Sequence, residues 1–221
     1  MSIAENLSKI NTQIGSKTRL IAVTKTKPVE VLLEAYHAGC KRFGENKVQE
    51  MVEKYNALPK DIEWHLIGHL QTNKVKLIAP FVSMIHSVDS LKLLQEINKY
   101  AAQNNRIIDC LLQIDISHEE TKYGMSESQA EELLNNPVLS AFQNVCIKGL
   151  MGMASNTLDQ EQIRAEFKNL KHFFDKVAAA NCHKERVEMQ EISMGMSGDY
   201  AIATDEGSTL VRVGSAIFGS R

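Results

Sequence analysis

At 221 residues, with 43% hydrophobic and 24% charged side chains and a formal net charge of -2, the chain has the make-up of a soluble globular domain. The near-neutral balance offers no basic excess for a nucleic acid, and no apolar run approaches the ~20 residues of a membrane span. The opening MSIAENLSKI lacks the apolar core of a signal peptide. Cys40, Cys110, Cys146 and Cys182 stand far apart without a C-x-x-C pair, which argues against a zinc cluster or disulfide framework and for reduced thiols in the cytoplasm.

A helix over residues 3–14 precedes the first strand. After it, a short apolar run, a turn and a longer amphipathic stretch recur along the chain. The short runs cover residues 20–23, 42–44, 64–67, 84–86, 110–114, 147–150, 191–193 and 210–213. Helical spacing marks 29–38, 47–57, 90–104, 126–135 and 158–180. Within 90–104, Leu91, Leu94, Ile97 and Ala101 form one apolar stripe, and Ser90 is placed to cap it. Strand–helix alternation predicts a parallel sheet, since parallel neighbours need a crossover. Eight such units predict a closed (β/α)8 barrel spanning 1–221 as a single domain; an open doubly wound sheet is the alternative.

In such a barrel the chemistry sits where strands end. The first strand runs into Ala22-Val23-Thr24-Lys25-Thr26-Lys27-Pro28. A lysine leaving a buried strand faces the barrel mouth, where a desolvated amine can attack an aldehyde to form an imine. Lys27 is expected to be the more exposed of the two, with Pro28 at the first helical position. On local sequence alone, both lysines read equally as solvated loop residues. His65 and His69 have the i,i+4 spacing of a metal pair, but a strand running into Gly68 would not place both rings on one helical face. His65 reads instead as a core or pocket-wall residue.

The last two strand ends are Ile192-Ser193-Met194-Gly195-Met196-Ser197-Gly198-Asp199 and Val211-Arg212-Val213-Gly214-Ser215-Ala216. The loops after strands seven and eight recurrently bind phosphate in these barrels. Gly214 and Ser215 would let backbone N–H groups approach closely, and Ser193 could add a hydroxyl; a tight turn without a ligand is the other reading. A lysine facing a phosphate cradle points to an aldehyde-bearing, phosphorylated cofactor. Arg212, lying between them, would disfavour protonation of a pyridine nitrogen and weaken the ring as an electron sink.

At these residues the chain resembles the pyridoxal phosphate homeostasis proteins, the YggS/PROSC family, whose barrel is similar to the N-terminal domain of alanine racemase. The segments AVTKTKP, FGENKVQE, WHLIGHLQTNK, SVDS, IKGLMGM and the long SMGMSGDYAIATDEGSTLVRVGSAIFGSR carry the resemblance, which covers all but the N-terminal helix. It implies that Lys25 is the Schiff-base lysine for pyridoxal 5′-phosphate (PLP) and that Ser193, Gly214 and Ser215 bind the phosphate. It likewise implies that Arg212 lies near the pyridine nitrogen and Asn46 near the ring. Thr24 stands where serine is common and Ser215 where threonine is. Residues 198–206 depart from the usual alanine-rich composition, which leaves contacts from that stretch open.

The resemblance implies a cytoplasmic PLP carrier without substantial turnover, expected as a monomer and possible donor to PLP-dependent apo-enzymes. A PLP-dependent amino-acid racemase is the alternative from another class. Racemases of this fold add a β-rich domain after the barrel and use a tyrosine as second base; the sequence ends at Arg221, and Tyr123 reads as a loop residue. A Schiff-base aldolase without PLP is a third reading.

Overall fold

A computed structural model describes residues 2–117 and 123–219. Eight parallel strands close on themselves: β1 (Arg19–Val23), β2 (Arg42–Glu45), β3 (Glu63–Leu66), β4 (Met84–Val88), β5 (Ile108–Ile114), β6 (Val145–Gly152), β7 (Val187–Ser193) and β8 (Leu210–Val213). β8 returns to β1 in the register Leu20 with Val211 and Ala22 with Val213, which rules out the open sheet. The helices are α1 (Ile3–Ile14), α2 (Val29–His37), α3 (Val48–Ala57), α4 (Val75–Ile78), α5 (Leu91–Gln103), α6 (Glu127–Leu134), α7 (Gln160–Asn181), α8 (Tyr200–Asp205) and α9 (Ser215–Phe218). Among the described residues, no helix is long and apolar enough to cross a membrane.

The strand alternation sorts the side chains into two cores. Ile21, Met84, Leu111, Met151 and Leu210 fill the barrel interior, while Leu20, Ala22, Phe43 and Trp64 pack outward beneath the helices. Because side chains alternate along a strand, the residues two beyond Leu210 and Met84 share the inward face. Arg212 and His86 therefore stand on top of the inner core, both buried. The same alternation, continued past Val23, brings Lys25 to the mouth.

Local chemistry sets the helix starts. Ser90 accepts from the amide of Leu93 as expected of an N-cap, and Ser126 forms a reciprocal capping box with Gln129. Pro28 differs from expectation: it is the N-cap of α2, with φ -73° and ψ 161°, and the helix begins at Val29. β6 and β7 begin earlier than the runs at 147–150 and 191–193; the part added to β7 includes Glu188 and Gln190, which break its apolar pattern, and Lys148 and Glu188 form an ion pair across the two strands. Between β3 and β4 the crossover shrinks to a 3-10 turn at Thr72–Lys74 and the single turn α4.

Candidate functional site

A cavity of about 350 Å³ opens at the C-terminal ends of the strands. Its wall includes Lys25, Asn46, Ile67, Met153, Met196, Ser197, Arg212, Gly214 and Ser215, so five of the six residues singled out from sequence converge there. A wider recess of about 720 Å³, bordered by α6 and α7, brings His172 and Lys176 to its wall. Lys176 is already paired with Glu131, and among the described residues the recess wall has no arginine or second lysine. The smaller cavity therefore carries the denser set of reactive groups.

Lys25 is half-buried at the rim, and among the described residues no hydrogen bond or ion pair takes its ammonium. Lys27 is also half-buried rather than freely exposed. Its Nζ donates to the carbonyl oxygens of Phe218 at 3.2 Å and Gly219 at 3.3 Å, tying the loop after β1 to the end of α9. Of the two lysines, Lys25 is the one with an unengaged amine.

Arg212 is buried and holds to neutral acceptors alone. Its Nη1 donates to Ser193 O at 2.8 Å and Ser193 Oγ at 2.6 Å, and Nη2 donates to Gly152 O at 3.0 Å. A guanidinium has five N–H groups; the Nε–H and the second Nη2–H remain without a partner among the described residues. Burial lowers its pKa to about 10, with Asp199 pulling weakly the other way, so at neutral pH it stays a cation.

Ser193 lies elsewhere than expected. It is fully buried, is not part of the cavity wall, and its hydroxyl contacts Arg212 and, at 3.0 Å, His86 Nδ1. Ser193 thus sits beneath Arg212, with its hydroxyl turned to Arg212 and His86. Ser197, four residues on, stands in the wall: its Oγ accepts from the amide of Gly214 at 3.2 Å. Sequence reading passed over Ser197 because two serines sit in one turn segment. The even step from Ser193 looks strand-like, whereas the chain bends after Met194, with Asp199 Oδ1 accepting from Met196 N–H at 2.5 Å.

Gly214 lies in the cavity wall and also packs closely on β1. A Cβ there would stand 3.1 Å from Val23 O and 3.3 Å from Val23 Cβ, so the glycine relieves crowding against β1. Gly68 serves Asn46 similarly, since a Cβ at Gly68 would lie 2.4 Å from Asn46 O. That contact brings the loops after β2 and β3 together and sets Asn46 at the rim.

His65 and His69 part company. His65 is buried with Nδ1 3.0 Å from His86 Nε2, and burial lowers its pKa to about 3. His69 stacks on Tyr123 with ring centroids 4.2 Å apart and places Nδ1 3.4 Å from Asp89.

The family model for alanine racemase, N-terminal domain, matches residues 1–221. The pyridoxal phosphate homeostasis protein of Aquifex aeolicus is 40% identical over 204 residues, covering 92% of this chain and 87% of the relative. The chain belongs to the pyridoxal phosphate homeostasis protein family. Its homologue from Vibrio alginolyticus is 37% identical across 100% of this chain and 98% of its own. The solved structure of PipY from Synechococcus elongatus, with PLP bound, superposes with a TM-score of 0.89 at 35% identity, covering 99% and 100% of the two chains. Alanine racemase from Bartonella henselae shares the barrel at a TM-score of 0.73 but only 17% identity, with 58% of that chain covered, a likeness of fold alone.

Proposed function

We propose that this protein binds PLP in the cavity at the mouth of the barrel, holding it on Lys25 as a Schiff base and serving vitamin B6 homeostasis. One observation carries the reading: an amine without a partner and a buried arginine without a direct carboxylate contact, among the described residues, open onto the same cavity. The donor set fits the cofactor. Ser197, Ser215 and the turn at Gly214 offer the phosphate a polar end, and Ile67, Met153 and Met196 offer the ring an apolar wall. Arg212 has N–H groups to spare for a pyridine nitrogen, and Asn46 stands at the rim for the ring's edge. PLP itself supplies an aldehyde for a lysine amine and a ring that can draw electrons.

The residues favour retention over turnover. Arg212 keeps its positive charge beside the ring, which disfavours a second positive charge on the nitrogen. Among the described residues the cavity wall holds no tyrosine, histidine or cysteine to act as a second base opposite Lys25. We read the chain as one PLP-binding domain over 1–221, a monomeric, cytoplasmic carrier whose partners include PLP-dependent apo-enzymes. Borohydride treatment of the PLP-loaded protein followed by peptide mass mapping tests the assignment. The pyridoxyl group is expected on Lys25; its appearance on Lys27 or Lys74 would overturn the reading.

A further inference from the structure

Behind the wall of the barrel, on the side away from the cavity, lies a buried cluster of charges that binding does not require. Lys54, on α3, is 6% exposed at its side chain, and Glu45, at the end of β2, is fully buried. An ammonium has three protons, and Lys54 directs them to Glu45 Oε1, Glu50 Oε1 and the carbonyl oxygen of Thr24, each at 2.7 Å. Glu50 Oε1 also accepts from the amide of Thr26, at 2.5 Å. The Thr24 hydroxyl closes the cluster by donating to Glu45.

Thr24 C=O belongs to the peptide unit before Lys25, and Thr26 N–H belongs to the unit after it. Both peptide planes that flank Lys25 are therefore held from one helix, and with them the two backbone torsions of Lys25 itself. Thr26 has φ 64°, in the left-handed region that a β-branched residue enters only at a cost. The hydrogen bond that Thr26 N–H donates to Glu50 offsets that cost. The Glu45–Lys54 contact is a costly way to build a wall, because burial of a charge pair rarely adds stability over apolar packing. Its contacts with both neighbours of one reactive residue give it a purpose.

We propose that Glu50 and Lys54 are positioning residues for Lys25: a backbone clamp that aims its amine into the cavity while leaving the amine itself free. This rests on the reading of Lys25 above. The bond concerned is the C=N between the Lys25 nitrogen and the PLP aldehyde carbon; the neutral amine's two protons leave with the aldehyde oxygen as water. A loosened clamp slows that step without weakening the hold on the phosphate and ring.

The test compares Glu50→Ala and Glu50→Gln, the latter keeping an oxygen for Thr26 N–H. Glu50→Ala is expected to slow the appearance of the borohydride-reducible bond by roughly tenfold or more, the scale of a misaimed reacting group. Glu50→Gln should react near the wild-type rate. In a Lys25→Ala background, which reports non-covalent binding alone, Glu50→Ala should leave PLP affinity unchanged. A wild-type rate in Glu50→Ala, or an equal loss of non-covalent affinity, would overturn the clamp. If Glu50→Ala fails to fold, Glu50→Asp keeps the charge but withdraws the oxygen by one methylene and carries the same expectations. Exchange of the Thr26 amide in PLP-free protein should quicken in Glu50→Ala, and unchanged exchange would also refute the clamp. Because that readout needs no PLP, it separates failure of the clamp from failure of wild-type Lys25 to bind the cofactor at all.

Discussion

Ser193 Oγ lies 2.6 Å from Arg212 Nη1, joining the ends of β7 and β8 beneath the cavity. The same hydroxyl reaches His86 Nδ1 at 3.0 Å, and His86 Nε2 meets His65 Nδ1 at 3.0 Å. Both histidines have pKa values depressed by burial, so the chain below Arg212 is neutral near pH 7. A neutral support orients the guanidinium without cancelling its charge.

Ser193 and Ser197 are therefore expected to fail differently. Ser197→Ala removes a hydroxyl at the phosphate end and should weaken PLP retention by about 1 kcal/mol, the net worth of one hydrogen bond. Inorganic phosphate should also compete less well in that variant. Ser193→Ala should instead alter the absorption of the bound cofactor by releasing Arg212, with little change in competition by phosphate. Dialysis, absorbance and phosphate titration of both variants check the pair; identical behaviour would place the two serines in one role.

Gly214→Val is expected to disturb Lys25 as well as the phosphate end. The new side chain would press on Val23, two residues before the lysine. Slower formation of the reducible bond, beyond what Thr24→Ser shows, is the expected result. Equal behaviour of the two variants would mean that β1 yields to the added bulk.

Stability should fall as pH drops below about 6.5, where unfolded histidines take up protons. Folded His65, with a pKa of about 3, and His86, also well below its ordinary value, stay neutral there. More protons on the unfolded state mean lower stability with falling pH, by up to about 1.4 kcal/mol per pH unit for each histidine. Burial raises the pKa of Glu45, which works in the opposite direction as pH passes down through that raised value. Urea unfolding between pH 6.5 and 5 checks the slope, and His86→Asn should reduce it.

Amino-acid turnover is expected to be minor. PLP-loaded protein incubated with L-amino acids in deuterated water should show little exchange of α-protons. Exchange near the ~10 per second of ordinary enzymes would replace the carrier reading with a racemase-like one.

The sequence by itself determined the barrel's plan, because strand and helix are local patterns. Eight apolar runs and their intervening stripes follow from which residues must leave water. Lys25, Arg212, Gly214 and Ser215 were legible because each stands at a strand end, and in this fold strand ends converge, whereas Asn46 was pointed to by the family resemblance. Tertiary structure alone decided which neighbour does what. Ser193 and Ser197 are chemically alike, and only the bend after Met194 puts one under Arg212 and the other in the wall. That a side chain at Gly214 would crowd Val23 became visible only once β8 closed against β1. The cluster of Glu45, Glu50 and Lys54 left no chemical signature in the chain, since charges on a helix or at a strand end ordinarily face water. Packing α3 against the ends of β1 and β2 buried Glu45 and Lys54 and left Glu50 half-buried beside them, and that packing is what turned three ordinary side chains into a hold on Lys25.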